Sequence, residues 1–205
     1  MEAFAIAPSE NSPPSSAESS TLAEITQYFP LRAGYVWRYV EQITTASGDT
    51  RLQRHVTLTI QSRRNHEYVG HWDFQSGRTH LPNIRYRIVQ DGVQQAQLTG
   101  DTAYTPFAYM LKTPFVVGTT WRGLQGYPIR IAAIALSCTV PAGVFDRCIE
   151  TLQDVEPLPE NRMLTRRRFA PGVGLVWQQR RLFQHGKLMR TDVMELQKRP
   201  EPLQL

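Results

Sequence analysis

The sequence is poor in the features that mark several common classes of protein. It has only two cysteines in 205 residues, too few for a scaffold held together by disulfide bonds. It has no run of about 18 apolar residues, so no membrane-spanning helix is encoded. The N-terminus lacks a basic segment followed by an apolar one, so we expect no export signal and, on the chain as given, a cytoplasmic protein.

The motifs of common catalytic and nucleotide-binding sites are also missing. There is no G-x-S-x-G, no H-E-x-x-H and no phosphate-binding loop ending in G-K-[S/T]. The pair Gly172 and Gly174 is followed by neither a third glycine nor a helical pattern, so it is not a dinucleotide fingerprint. Cys138 lies inside a predicted strand, where an activated nucleophile is not expected. We predict a non-enzymatic protein with no cofactor and no metal.

Arginine supplies most of the charge that is present. The net charge is +5, which permits contact with nucleic acid, anionic headgroups or acidic glycans. Five arginines fall on a predicted hairpin over residues 163–183: Arg166, Arg167, Arg168, Arg180 and Arg181. In a strand the first and third of the triplet share a face and the second opposes them.

This basic hairpin has two interpretations. Paired arginines bind phosphate or carboxylate groups of a ligand or partner, whereas a basic edge strand only discourages aggregation between sheets. No aromatic residue lies inside the triplet, so single-stranded nucleic acid is not an expected partner.

Period-two alternation dominates the sequence after residue 34. Leu52, Val56, Leu58 and Ile60 fall on one face of a predicted strand. The pair Asp91-Gly92 predicts a tight hairpin. The fold class is therefore mainly β, a curved antiparallel sheet or half-barrel of nine or ten strands with one or two short helices. Residues 105–112 are expected to form a short helix or a loop.

The predicted organisation is one domain with short ends. Thr21 and Glu24 form a T-x-x-E capping box, which predicts a short helix ending before Pro30. The expected divisions are a disordered Ser/Pro-rich tail over 1–19, a β-rich domain over 20–198 with possible halves 28–103 and 104–198, and a flexible tail over 199–205.

Aromatic residues are concentrated on the predicted inner face of the sheet. They are Tyr35, Trp37, Tyr39, Tyr68, Trp72, Phe74 and Tyr86. If a helix covers the sheet, these residues form the core. If the sheet stays open, they line an apolar cleft able to hold an acyl chain or a helix of a partner.

The motif P-[L/F]-x-x-G-x-x-W occurs twice and is expected to be structural. Its members are Pro30, Gly34 and Trp37, and then Pro114, Gly118 and Trp121. Proline favours the start of a strand, glycine permits a positive φ, and tryptophan supplies an inward anchor. Gly143, Gly172 and Gly174 are likewise expected at turns.

Two small clusters offer weaker signals. Glu67, His71 and Asp73 share a predicted strand face and could bind a divalent ion, although a solvated polar face explains them as well. Cys138 and Cys148 flank a predicted turn. They can form a disulfide if they lie directly opposite, and a shift of one residue leaves two buried thiols.

Three stretches carry a resemblance: YFPLRAGYVWRY (28–39), TVPAGVFDRCIE (139–150) and RRFAPGVGLVWQQ (167–179). Their FPL-G-W, VPAG-F-C and APGVGLV motifs resemble those of uncharacterised bacterial β-rich proteins, many of them lipoproteins or periplasmic. The resemblance implies a curved sheet similar to half-barrel lipoprotein carriers, and a location in the cell envelope or periplasm. The resemblance implies no catalytic residues. Those lipoproteins begin with a signal and a lipidated cysteine, and this chain has neither.

Three functions follow as hypotheses. The first is a non-enzymatic protein whose curved sheet binds an apolar small molecule or a partner protein. The second is an accessory subunit of a larger assembly that docks through the basic hairpin 163–183. The third is a metal-dependent enzyme that uses His71 and Asp73.

Overall fold

The computed structural model describes residues 16–64, 67–75, 83–99, 102–103 and 105–203. Within these ranges one α-helix, α1 (Ser16–Tyr28), precedes thirteen β-strands. The strands are β1 (Tyr35–Thr45), β2 (Thr50–Arg64), β3 (Glu67–Phe74), β4 (Ile84–Val89), β5 (Gly92–Thr99), β6 (Thr102–Ala103), β7 (Ala108–Lys112), β8 (Thr120–Arg122), β9 (Pro128–Val140), β10 (Gly143–Leu158), β11 (Asn161–Ala170), β12 (Gly174–Gln184) and β13 (Lys187–Pro202). A 3-10 turn spans Leu124–Gly126.

All of the strands belong to one antiparallel sheet. The order runs β6-β5-β4-β3-β2-β1-β13-β12-β11-β10-β9-β8, and β7 pairs with β5. The sheet curves until β7 and β8 approach each other, and there Trp121 Nε1 donates a hydrogen bond to the Tyr109 carbonyl oxygen at 3.3 Å. The result is a barrel that is nearly closed.

The predicted class, a mainly β protein built on a curved antiparallel sheet, is confirmed, but nine or ten strands were too few. The short strands β6 and β8 carry almost no periodicity, because two or three residues cannot show an alternation. Residues 108–112 form strand β7, so the expected helix or loop over 105–112 is wrong there. Antiparallel pairing with β5 determines this segment rather than local preference.

The ends of the domain differ from the expected boundaries. Helix α1 includes residues 16–19, which were expected in the tail, while residues 1–15 lie outside the described ranges. Strand β13 continues to Pro202, which pairs with Tyr35, so residues 199–202 are part of the sheet. The pairing of β1 with β13 makes the sheet continuous across the proposed halves 28–103 and 104–198.

Helix α1 packs inside the curve of the sheet. Ile25 is fully buried, and the Phe29 ring lies 5.6 Å from the Tyr86 ring and 6.0 Å from the Phe169 ring, measured between centroids. Leu22 remains exposed. Across the described ranges, no helix is both long and apolar enough to cross a bilayer. Through the buried side chain of Ile25, helix α1 covers one part of the inner face of the sheet.

The two copies of P-[L/F]-x-x-G-x-x-W form the same turn. Gly34 has φ +80° and its N–H donates to the Ile60 carbonyl at 2.7 Å. Gly118 has φ +94° and its N–H donates to the Ile131 carbonyl at 2.9 Å. A residue with a Cβ is strained at such angles. In the second copy Trp121 is buried, as Trp37 is in the first. Positive φ angles also occur at Gly143, Gly172 and Gly174.

Candidate functional site

The inner face of the barrel divides into two layers along its strands. The layer beneath α1 is apolar and includes the buried side chains of Trp37, Tyr39, Phe169 and Leu196. Tyr39 Oη donates to the Leu175 carbonyl at 3.0 Å, and burial raises the pKa of this phenol well above its usual range. Polar atoms in this layer are therefore satisfied by backbone, and the layer is ordinary hydrophobic core.

A polar layer begins at Glu41, two residues beyond Tyr39 on the same face of β1. The Glu41 side chain is 3% exposed. Arg54 stands directly opposite on β2, and its Nε donates to Glu41 Oε2 at 2.6 Å. Arg180 on β12 donates from Nη2 to Glu41 Oε1 at 3.3 Å. Each carboxylate oxygen of Glu41 thus binds its own guanidinium group.

The same layer contains a second buried carboxylate, Asp192 on β13. Arg190 binds it through two bonds, Nε to Oδ1 at 2.5 Å and Nη2 to Oδ2 at 2.7 Å, and this pairing raises the pKa of Arg190. Arg180 Nη2 lies 3.2 Å from Asp192 Oδ2, so Arg180 links Glu41 with Asp192. Buried carboxylates are tolerated when they are paired and hydrogen-bonded in this way.

A cavity of about 190 Å³ lies between the polar layer and the aromatic residues of β3 and β4. A single water needs roughly 10–15 Å³ by this kind of measure, so the space can hold a small organic molecule. The residues of its apolar wall are Trp72, Phe74, Ile84, Tyr86, Met110, Leu175 and Met194. The residues of its polar wall are Glu41, Gln95, Gln97, Arg167, Gln178 and Arg180.

Arg167 on β11 is the unusual member of the polar wall. Its Nε donates to Gln178 Oε1 at 2.9 Å, and its Nη1 donates to Gln153 Oε1 at 3.4 Å. Burial, and then the nearby charge of Arg180, lower the pKa of Arg167 to about 10. Among the described residues no carboxylate lies within ion-pair distance of this guanidinium, so two neutral amides hold it in place without neutralising it.

Arg180 contributes a second unsatisfied group to the same wall. Its Nη2 serves both Glu41 and Asp192, but its Nε is buried and has no hydrogen-bond partner in the described part of the chain. A buried donor without an acceptor costs about 1–3 kcal/mol. The two arginines stand on adjacent strands, β11 and β12, and their charges repel each other. The wall therefore carries positive potential and unfilled donors together.

A smaller apolar cavity of about 20 Å³ adjoins the first. The two cavities share Trp72, Tyr86, Met110 and Leu175 in their walls. The Trp72 indole N–H donates to Tyr86 Oη at 3.2 Å, which fixes the partition between them. Burial raises the pKa of Tyr86 to about 12, so its phenol stays protonated at neutral pH.

The five arginines of hairpin 163–183 do not form one surface. Arg166 and Arg168 lie on the outer face with Arg181, while Arg167 and Arg180 point into the barrel. Arg168 Nε donates to Glu150 Oε2 at 2.8 Å. The alternation of side chains therefore divides the five residues between two faces, with Arg167 opposed to Arg166 and Arg168 as expected for a strand. Docking through this hairpin stays a hypothesis that would involve its outer face.

The seven aromatic residues divide between core and cavity. Trp37, Tyr39, Tyr68 and Tyr86 are buried, whereas Tyr35, Trp72 and Phe74 are only partly buried against the core. The two interpretations thus apply to different members of the set. Trp72, Phe74 and Tyr86 line the cavity, and Trp37 and Tyr39 lie in the apolar layer.

The proposed metal-binding face uses its polar atoms in other ways. His71 Nδ1 lies 2.6 Å from Asn83 Oδ1, and Glu67 Oε2 lies 3.7 Å from Arg85 Nε. Within the described ranges, no group of three His, Cys, Asp or Glu residues is arranged to hold a metal ion.

The two cysteines are free thiols, and both are buried. Cys138 stands opposite Phe145 and Cys148 stands opposite Leu136, so the pair is not in direct register. Cys148 Sγ donates to the Phe145 carbonyl oxygen at 3.4 Å, and the neighbouring Cys138 thiol, together with burial, raises the pKa of Cys148 far above its usual range. The pair is packing for the β9–β10 hairpin and lies outside the cavity lining.

The acidic residues of the polar layer were not predicted from the sequence. Glu41 occupies the inward parity of β1, between Tyr39 and Ile43, and Arg54 occupies the inward parity of β2, between Leu52 and Val56. A charged residue within an apolar alternation on two successive strands is the signal that identifies such a pair. The same signal occurs at Asp192, two residues before Met194.

Comparison with known proteins places the fold. No family model matches the chain, and no curated protein is detectably similar in sequence. The structure is similar to that of a predicted exported protein with a YmcC-like fold from Bacteroides fragilis, with a TM-score of 0.52 and 14% identity over 83% of this chain and 97% of that one. A predicted lipoprotein from Parabacteroides distasonis gives a TM-score of 0.45 and 13% identity over 82% of this chain and 95% of that one.

The first of these similarities, at 14% identity, is a similarity of fold. It agrees with the group of uncharacterised bacterial β-rich proteins that the three sequence motifs resemble.

Proposed function

We propose that the protein is a non-enzymatic binding protein that holds a small, largely apolar molecule in the cavity inside its barrel. The observation that carries this proposal is the cavity of about 190 Å³, which residues of eight strands line and which the core side chains leave unfilled. Ligand sites are typically concave and mostly apolar, with a few polar groups that fix orientation. The cavity has an apolar wall of this kind, and its six polar residues suit a molecule that also carries a polar group.

The chemistry of the walls supports binding rather than catalysis. None of the described residues that line the cavity is Ser, Cys, His or Lys. Both oxygens of Glu41 are engaged by guanidinium groups, and a Tyr86 phenol with a pKa of about 12 is a poor acid or base near neutral pH. The walls therefore offer no nucleophile and no poised proton carrier.

A location in the cell envelope is part of the same proposal. It is supported by the resemblance of the sequence motifs and by the Bacteroides fragilis relative in fold, which is itself a predicted exported protein. A carrier of apolar molecules in an aqueous compartment needs an interior shielded from water, which a nearly closed barrel provides.

The test uses N-phenyl-1-naphthylamine, a neutral probe whose fluorescence rises in apolar surroundings. We expect saturable binding to the unmodified protein. Gln95→Trp fills the cavity from β5 and should abolish binding, whereas the control Gln42→Trp adds the same side chain on the exposed outer face of β1 and should not. Absence of saturable binding, or equal binding by both variants, would show that the cavity is not a ligand site.

A further inference from the structure

We propose that the ligand is an amphipathic carboxylate whose carboxylate group is held between Arg167 and Arg180, and whose apolar part lies on the apolar wall. This inference rests on the proposed binding function and specifies the chemistry of the molecule that binds.

The first argument is the charge of the interior. The lining of the cavity contains two guanidinium groups, those of Arg167 and Arg180. Among the described residues of that lining they face one carboxylate, that of Glu41, which also binds Arg54. Asp192, which contacts Arg180 as well, is bound by Arg190. A buried charge without a partner is costly. An anion in the cavity would compensate this excess.

The second argument is the way in which Arg167 is held. Gln178 stands directly opposite on β12 and Gln153 approaches from β10. These neutral amides bind Nε and Nη1, which orients the guanidinium plane but leaves its charge in place. Nη2 contacts no acceptor among the described residues. A guanidinium that is fixed in advance binds a carboxylate with little further loss of entropy.

The third argument is the match in donor number. Arg167 and Arg180 present two guanidinium groups to the same cavity, and Nη2 of Arg167 has no acceptor among the described residues. Two guanidinium groups can bind the two oxygens of one carboxylate. The anion would also separate two guanidinium groups that otherwise repel each other across adjacent strands. Both oxygens of Glu41 already bind arginine, so its charge is neutralised locally.

The fourth argument is the apolar wall beside these donors. Trp72, Phe74, Met110 and Leu175 border the same cavity, and three of the four also border the adjoining apolar cavity of about 20 Å³. A ligand with an anionic end at the arginines would therefore place the rest of its length against aromatic and aliphatic side chains. Such a molecule has one charged end and an alkyl or similar body.

The experiment compares dodecanoate with dodecanol as competitors of N-phenyl-1-naphthylamine at neutral pH. The two molecules have the same alkyl chain and differ in charge. We expect dodecanoate to displace the probe at a concentration about tenfold or more below that of dodecanol, because charge-assisted bonds to two arginines favour the anion. Equal potency in the unmodified protein would overturn the inference.

Two variants test whether Arg167 causes the preference for dodecanoate over dodecanol. Arg167→Gln should remove it, while Arg166→Gln, the same change on the adjacent residue of the outer face, should leave it intact. A preference that survives in Arg167→Gln would contradict the assignment. If Arg167→Gln does not fold, Arg167→Met, which removes the charge but keeps an apolar stem, replaces it.

The pattern of results separates the two proposals. Probe binding with no preference for the anion would rule out the inference that the ligand is a carboxylate, and it would leave the proposed binding function standing. No saturable probe binding would overturn both.

Discussion

The apolar layer and the polar layer occupy the same inner face of the same strands, yet they differ in how their polar atoms are satisfied. On β1, Trp37 and Tyr39 pack into the core beneath α1, and Glu41, one step further along the face, faces guanidinium groups instead. In the apolar layer the polar atoms of the aromatic residues are satisfied by backbone carbonyls. In the polar layer Arg167 and Arg180 keep donors that the described chain does not satisfy.

This difference teaches where the barrel has been closed and where it has been left open. Ile25 of helix α1 and Phe29, the residue after the helix, reach the apolar layer and are part of its core. It does not fill the space beside Phe74 and Arg167, where the cavity lies. Under the proposed function, the apolar layer mainly stabilises the fold, and the polar layer borders the space in which a ligand would bind.

The largest expected effect tests the apolar layer. Trp37→Ala should lower the free energy of unfolding by about 3–5 kcal/mol, because it removes a buried indole and leaves the Val173 carbonyl without its donor at 2.8 Å. Phe74→Ala, on the partly buried cavity wall, should cost about 1–2 kcal/mol, since the lost volume joins existing space. Urea unfolding measures both, and equal losses would erase the distinction between the layers.

The next effect tests the buried ion-pair network. Glu41→Gln should cost about 3 kcal/mol, because Arg54 and Arg180 lose the carboxylate that compensates them. The control is Glu156→Gln, whose side chain is 72% exposed and which should change the free energy of unfolding by less than about 0.5 kcal/mol. An unchanged free energy of unfolding in Glu41→Gln would mean that the ion-pair network does not stabilise the folded state.

The third effect has the opposite sign. Arg167→Gln should raise the free energy of unfolding by about 1–2 kcal/mol in the absence of ligand, since it removes an uncompensated charge from the interior. Thermal and urea unfolding both measure this gain. The control Arg166→Gln should have nearly the same free energy of unfolding as the unmodified protein. A loss of stability in Arg167→Gln would identify Arg167 as a structural residue.

The smallest effect is a dependence of that gain on pH. The pKa of Arg167 is about 10 in the folded protein, below the ordinary value that the side chain keeps in the unfolded chain. Below about pH 10 the group is charged in both states, and the folded state bears the full penalty. As the pH rises above about 10, the folded state loses its proton first and the penalty falls. The advantage of Arg167→Gln should therefore be constant up to about pH 10 and narrow as the pH rises above that value, measured by urea unfolding of the two proteins side by side.

Local patterns in the sequence predicted the sheet but not its interior. The alternation at Leu52, Leu58 and Ile60 identified β2, because the period of a strand is a property of neighbouring residues. The same rule placed Arg167 opposite Arg166 and Arg168. It did not tell which of these faces is interior, since that depends on strands far away in the chain.

The division of the aromatic residues had a similar cause. Trp37 and Trp72 follow the same alternation, yet Trp37 is buried and donates to the Val173 carbonyl, whereas Trp72 is partly buried and lines the larger cavity. Register between distant strands brings Arg180 to Glu41, across 139 positions of sequence. No periodicity within either strand contains that information.

The join between β7 and β8 has a mechanical consequence. Every other junction around the barrel is a ladder of backbone hydrogen bonds, while at this one, in the part of the chain that the structure describes, Trp121 Nε1 reaches across to the Tyr109 carbonyl. Separating two laddered strands breaks many bonds together, but widening this seam breaks one bond from an indole. Met110, next to that carbonyl, lines both cavities. The barrel is thus most easily opened along this seam, and the seam lies beside the cavity in which a ligand would bind.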